Sequence, residues 1–209
     1  MPTLDAAKHP HAYRRKQVLY YEGNPATGLF CIQSGSVKLY KTGPEGKVYI
    51  LRIAASSGVL GLESLFTGSP WSATAEMLED GTVCYVDRKT VLELVRQDPG
   101  VAVQVIQTLA HQLQTSESER VELAQSSVRE RLARLLALLV QSHGISEDVG
   151  TRIDLRLSRE EMAEMIGTAQ ETAIRLLTEL KQDGVIGLDG RVIVVRDIDR
   201  LIETANLPF

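Results

Sequence analysis

The chain is poor in the residues that most chemistry needs. Of its 209 residues only two are cysteine, Cys31 and Cys84. That is too few for a disulfide framework or a four-thiolate iron–sulfur cluster. Histidine is equally sparse, with four residues, and no clustered His and carboxylate ligands fall on one strand pattern as a metal-dependent barrel would require. No Ser-His-Asp or Cys-His constellation can be assembled either, so an enzyme is not expected. No apolar run approaches a membrane span, and the Met-Pro-Thr-Leu-Asp start lacks an apolar signal region, which gives the cytoplasm as the expected address and no membrane partner. Excess positive charge is also missing, since the formal net charge is −4. Affinity for nucleic acid comes largely from phosphate neutralisation, so any DNA binding has to rest on a local basic face. What remains, 44% hydrophobic and 24% charged, is the composition of a globular protein with one large core or two smaller ones.

From Tyr13 to about Arg88 the chain is a run of short β signals separated by glycine and proline. Segments 17–21, 29–33, 37–41, 47–54, 72–75 and 82–86 read as strands, spaced like an antiparallel barrel or roll. His9 and His11 precede the first of these. Between the fourth and fifth, Gly58-Val-Leu-Gly-Leu-Glu-Ser-Leu-Phe66 is too irregular for a plain strand and suits a short helix facing a ligand. From Lys89 the period changes. Val91, Leu92, Leu94 and Val95 give a short amphipathic helix that stops near Asp98-Pro99-Gly100. A long helix without Gly or Pro then runs to about Gln125. Its seam of Ala102, Ile106, Leu109, Leu113, Ser116, Arg120 and Leu123 repeats in steps of three and four over about three heptads, which points to dimerisation. The other reading is a helix packed on its own roll.

Ser127 to Val140 reads as a further helix with Arg129, Arg131 and Arg134 on its polar side, followed by a loop from His143 to Thr151 and a strand from Arg152 to Leu157. Two short helices come next. Ser158 and Glu161 form an S-x-x-E capping box, Gly167 suits a left-handed helix end, and Thr168 with Glu171 repeats the capping signature. Ala173, Leu176, Leu177 and Leu180 make the apolar stripe of the second helix, while Gln170, Glu171 and Arg175 share its opposite face. Such a pair suits a helix-turn-helix or an ordinary helical hairpin. Asp189-Gly190 between two apolar runs is a strong hairpin signal. A helix-turn-helix followed at once by a hairpin is a winged helix, which favours DNA reading.

Roll, long helix and winged helix in this order resemble the Crp/Fnr (catabolite activator) family of bacterial transcription regulators over nearly the whole chain. The resemblance rests on Glu22-Gly23, Gln33-Ser-Gly-Ser-Val-Lys-Leu39, Gly46-Lys47 and Gly61 to Phe66. It is densest at Ile166-Gly-Thr-Ala-Gln-Glu-Thr-Ala-Ile-Arg-Leu-Leu177 and Gly190-Arg-Val-Ile-Val-Val195. The implied fold is α+β: an antiparallel β-roll like a cyclic-nucleotide-binding domain (1–98), a dimerisation helix (99–126) and a winged helix-turn-helix (127–209). The implied function is a homodimer that reads a pseudo-palindromic double-stranded site, with half-sites about one helical turn apart. By the same resemblance Gln170, Glu171, Thr172 and Arg175 match the base-contacting start of the second helix, Arg159 and Arg191 match phosphate-contacting positions, and Thr168 and Thr172 add hydroxyl contacts. Glutamate accepts from cytosine N4, and arginine donates to guanine O6 and N7.

Cyclic-nucleotide-binding relatives use a Gly-Glu pair for the ribose and an Arg-Ser pair for the cyclic phosphate. Here the matching stretches are Gly61-Leu62-Glu63 and Trp71-Ser72, so the glutamate is displaced and no arginine meets the phosphate. Ser116 and Glu117 lie where relatives contact adenine. The resemblance therefore implies a small effector other than cyclic AMP, in a pocket of Leu62, Glu63, Trp71, Ser72, Ser116 and Glu117, or a dimer competent without one. No cofactor is expected. A haem would need an axial ligand from His9, His11 or His111, and no spacing singles one out, so each reads as a surface histidine. His9, His11 and Lys89 fall where some relatives touch RNA polymerase. The competing function is a cupin-like ligand-binding or enzymatic barrel whose winged helix serves assembly. One specificity residue stands out, because catabolite activators place an arginine where this chain has Gln170. Glutamine pairs with adenine N6 and N7, so Gln170→Arg is expected to change the base preferred at one pair of each half-site in a selection from random DNA. An unchanged consensus would contradict this assignment.

Overall fold

The computed structural model describes residues 9–206, apart from the side chains of residues 9, 119 and 121–124. The chain divides into two compact units, Met1–Ser118 and Glu119–Phe209, with the boundary inside the long helix.

The first unit is an antiparallel roll. Its strands are β1 (His9–Tyr13), β2 (Val18–Tyr20), β3 (Gly28–Ser34), β4 (Val37–Thr42), β5 (Val48–Ala54), β6 (Val59–Leu60), β7 (Thr74–Met77) and β8 (Gly81–Asp87). They form two four-stranded sheets, β1-β8-β3-β6 and β2-β7-β4-β5. Alternation along each strand sends one set of side chains inward. Phe30, Ile32, Leu60 and Val83 from the first sheet meet Val37, Leu39, Ala75 and Met77 from the second in one core. The strand β1 was not expected, and His9 and His11 lie within it rather than ahead of the first strand. Among the described residues it is an edge strand paired with β8 alone, the position where a proline such as Pro10 is tolerated and where the sequence signal is weakest. The strand expected at 72–75 lies two residues later, at Thr74–Met77.

The segment after β6 is a short helix, α1 (Leu62–Thr67), as its irregular pattern suggests. It is followed in chain order by α2 (Arg88–Gln97) and the long α3 (Pro99–Gln125). A second apolar cluster joins Leu29, Leu62, Leu65, Val86 and Val91 to Val105 and Leu109 of α3. The expected seam is thus divided between two faces. Leu109 packs on the roll, whereas Ile106 and Leu113 stay 64% and 62% exposed, beside Val103 at 52%. Leu123 lies outside the described side chains.

The second unit contains α4 (Val128–His143), β9 (Gly144–Glu147), β10 (Gly150–Ile153), α5 (Arg159–Ile166), α6 (Gln170–Gln182), β11 (Ile186–Asp189), β12 (Val192–Val195) and α7 (Ile198–Thr204). Its sheet has the order β11-β12-β10-β9. Most of the loop expected from His143 to Thr151 is therefore a β9–β10 hairpin. Every residue of β9 is exposed, so no apolar alternation marks it. The strand expected to reach Leu157 ends at Ile153, after which Leu155 and Leu157 are buried without strand pairing.

Several positions in the roll leave no room for a Cβ, and Gly61 is the one beside Trp71. Gly61 begins α1 with φ 89°, and a Cβ there would lie 2.1 Å from Trp71 Cζ3. Left-handed backbone and a forced shift of a buried indole add, so Gly61→Ala is expected to cost about 2–4 kcal/mol. Chemical denaturation reads this as a lower midpoint, and an unchanged midpoint would contradict the packing.

Candidate nucleic-acid interface

The helix pair α5–α6 begins with a closed capping box. Ser158 Oγ accepts from the Glu161 N–H at 3.0 Å, and the Ser158 N–H donates to Glu161 Oε2 at 2.7 Å. Gly167 ends α5 at φ 63°, ψ 49°, the left-handed conformation that lets the chain turn sharply. The second capping signature does not form. Ala169, not Thr168, occupies the N-cap of α6, and no side chain caps it. Thr168 lies one residue too early, where its N–H closes the end of α5 by donating to the Ala163 carbonyl at 3.0 Å. The first N–H groups of α6 are consequently left without a side-chain acceptor from the cap, an arrangement suited to a phosphate oxygen.

Along α6 the two faces separate cleanly. Ala173, Leu176, Leu177 and Leu180 are buried, while Gln170, Glu171 and Arg175 are exposed and Thr172 is half-buried. Ile174 joins the exposed face at 44%. Sequence reading passed over it because an isoleucine between Ala173 and Leu176 looks like part of the apolar stripe. A strict helical projection separates it, since it follows Gln170 by four residues and Glu171 by three.

The arginines of this unit have mostly internal work. Arg129 on α4 donates to Glu179 Oε2 at 3.0 Å and to Asp183 Oδ2 at 2.6 Å, tying α4 to α6. Arg131 donates to the carbonyls of Ile166 at 2.9 Å and Ser126 at 2.7 Å. Arg134 reaches the Ala205 carbonyl at 3.1 Å, and Arg200 the Asp183 carbonyl at 2.8 Å. Arg175 pairs with Glu179 Oε1 at 2.8 Å, one turn along its own helix. Glu179 thus bridges Arg129 and Arg175, fixing the guanidinium on the exposed face of α6 through its link to α4.

The wing is pinned to the helix pair in a similar way. In the hairpin Asp189 pairs with Val192, leaving Gly190 and Arg191 as the two turn residues. Gly190 has φ 56°, as the first central residue of a II′ turn requires. Arg159 at the start of α5 donates to the Gly190 carbonyl at 2.9 Å. Partial burial pushes its guanidinium below the ordinary arginine value. Arg191 is left exposed at the tip.

Comparison with known proteins agrees with this geometry. Residues 130–204 match the Crp-like helix-turn-helix domain, and residues 10–98 match the cyclic nucleotide-binding domain. The chain belongs to the Crp/Fnr family. It is 28% identical over 204 residues to the CRP-like cAMP-activated global transcriptional regulator of Mycobacterium tuberculosis, covering 98% of this chain and 91% of that one. It is likewise 28% identical over 212 residues to the transcriptional activator protein FnrL of Cereibacter sphaeroides, covering 99% and 84%. The structure of FixK2 from Bradyrhizobium japonicum superposes with a TM-score of 0.84 at 27% identity, covering 94% of this chain and 96% of that one. This Crp/Fnr protein is therefore a DNA-binding transcription regulator and not an enzyme, which removes the cupin-like reading of the roll. No helix among the described residues is long and apolar enough to cross a membrane.

In the roll of this Crp/Fnr protein the effector-side residues are distributed unevenly. Glu63 and Ser72 meet, with Ser72 Oγ donating to Glu63 Oε1 at 2.7 Å. Trp71 is 4% exposed and stacks on Tyr20 with ring centroids 4.1 Å apart, beside Phe30 at 6.1 Å. Leu62 is buried in the other apolar cluster, under α2 and α3. Burial pushes the Tyr20 phenol far up, the Glu63 carboxylate adds to the shift, and Arg52 opposes it. Ser116 is half-buried and Glu117 exposed on α3. His11, Lys89 and His111 are exposed, and the side chain of His9 lies outside the described residues. No group of three or more His, Cys, Asp or Glu among the described residues is placed to hold a metal.

Proposed function

We propose that this regulator acts as a homodimer that reads a pseudo-palindromic DNA site with α6 in the major groove. One observation carries the reading: α6 is closed by leucines on one side and presents Gln170, Glu171, Ile174 and Arg175 on the other. Within that face Arg175 donates to guanine, Glu171 accepts from cytosine, and Ile174 meets the methyl group of thymine. Thr168, Thr172, the uncapped start of α6 and Arg191 at the wing tip face the phosphates, which fix register without reading sequence. Arg159 supports the wing and adds its charge near the same backbone.

The dimer reading rests on α3. Val103, Ile106 and Leu113 are exposed along a helix whose other side already packs on the roll. Large apolar residues exposed in heptad spacing mark a helix for association, and a second α3 supplies the matching surface.

Control by cyclic AMP in the manner of its relatives is not part of the proposal. Trp71 stands where those relatives have an arginine, and its indole is stacked within the core rather than offering a cation to a phosphate. Glu63, displaced by one position, is hydrogen-bonded to Ser72. The regulator answers to another small molecule, or it binds DNA without one. RNA polymerase is the further partner, met by the exposed Lys89 and His11.

Footprinting on bound genomic fragments tests the core of the proposal. Two protected half-sites about one helical turn apart are expected. The double variant Ile106→Glu/Leu113→Glu should sediment as a monomer and lose roughly a hundredfold or more in operator affinity, because the two readers no longer act together. A single protected half-site with the native chain, or a variant that remains dimeric, would contradict it.

A further inference from the structure

Strands β3 and β8 bring the two cysteines of the chain into register. Cys31 stands directly opposite Cys84 in the antiparallel pair, and both are thiols. They also share a face of the sheet. The cross-strand pairs Phe30–Tyr85 and Ile32–Val83 turn into the roll core. The pair Leu29–Val86, two residues from the cysteines, turns the other way, into the cluster beneath α2 and α3. Alternation puts Cys31 and Cys84 on that same outer face, side by side.

The backbone identifies the kind of pair. The Ile32 N–H donates to the Gly58 carbonyl at 2.9 Å, and the Ile32 carbonyl accepts from the Ser57 N–H at 2.9 Å, both away from β8. Successive residues alternate in direction, so Cys31 turns its own N–H and carbonyl toward β8 and forms a hydrogen-bonded pair with Cys84. Such pairs hold their Cα atoms about 5.5 Å apart, within the range of about 4.4–6.8 Å that a disulfide accepts. Their Cβ atoms, at the long end of about 4.5–5.5 Å, must close by about 1 Å to reach disulfide geometry. A bridge here is reachable but strained, and strained disulfides are the readily reduced ones. Access is asymmetric as well, because Cys31 is half-buried and Cys84 fully buried.

We infer that Cys31 and Cys84 form a reversible dithiol site for peroxide-class oxidants, through which the roll responds to oxidation. The sulfur of Cys31 attacks a peroxide oxygen, the O–O bond breaks, and Cys31 becomes a sulfenic acid as one water leaves. The sulfur of Cys84 then displaces the hydroxyl group, forming the S–S bond and releasing a second water. The two thiols together supply the two electrons that reduce the peroxide. Drawing β3 toward β8 acts on Leu29 and Val86, which support Val105 and Leu109 of α3. The strain is thereby delivered to the long helix.

The test treats the full-length protein with hydrogen peroxide, blocks remaining thiols under denaturing conditions and measures intact mass, followed by reduction with dithiothreitol. The expected product has lost two hydrogens, carries no blocked thiol and returns fully on reduction. Cys31→Ser should leave Cys84 untouched by peroxide, and Cys84→Ala should leave a Cys31 sulfenic acid that a dimedone probe captures. Operator affinity should change several-fold on oxidation of the native chain and in neither variant. Thiols that survive peroxide, a Cys31 carrying two oxygens beside an intact Cys84 thiol, or an oxidised protein with unaltered operator affinity would overturn the inference. The affinity measurement rests on the DNA-reading proposal, whereas the mass measurement does not, so failure of one is distinguishable from failure of the other.

Discussion

A helix can read a groove only if it is fixed along one side and bare along the other. In α6 the fixed side is apolar. Three fully or nearly buried leucines, Leu176, Leu177 and Leu180, anchor it, each worth about 1.5–3 kcal/mol of burial. The ion pairs of Arg129 with Glu179 and Asp183 are part-exposed and worth at most about 1 kcal/mol each. Leucine packing therefore holds the helix, and the Arg129 pairs refine its orientation. Glu179 then transmits that orientation to Arg175, one turn away on the exposed side.

The net charge of −4 poses the main physical difficulty for a DNA-binding chain, and the arginine pattern sharpens it. Arg129, Arg131, Arg134 and Arg200 all hold the second unit together from within. Counting basic residues in the sequence overstates what is available to phosphates. The exposed cations that remain, Arg156, Arg191 and Arg196 among them, are few, and the open start of α6 adds partial positive charge that comes from the backbone and needs no side chain. Two copies double this small set. A dimer is thus the natural remedy for a weakly charged reader, and the exposed stripe of α3 offers the surface for one.

Much of this was legible in the sequence because the signals are local. Ser158, Glu161 and Gly167 bracket α5 as their chemistry dictates, and Asp189-Gly190 marks the wing, although the turn residues prove to be Gly190 and Arg191. Signals that depend on tertiary context misled or were silent. Thr168 has the residue type of a cap, but the tight turn places it one position early. Strand β9 has no buried residue to betray it, and β1 carries a proline that only an edge strand accepts. Trp71 looks like a pocket wall in one dimension and is a core residue stacked on Tyr20 in three. Ile174 was hidden by its own hydrophobicity, which counts toward the stripe until the helix is projected.

The central claim is that Arg175, steadied by Glu179, reads one base pair in each half-site. The direct measurement is selection of bound sequences from random DNA with Arg175→Ala beside the native chain, at one fixed salt concentration. Preference should vanish at a single guanine-containing pair per half-site, at a cost of about 1–3 kcal/mol for that pair, while the other positions keep their bases. A uniform loss of affinity across all sequences, with the consensus intact, would show that Arg175 meets only phosphate and would contradict the account.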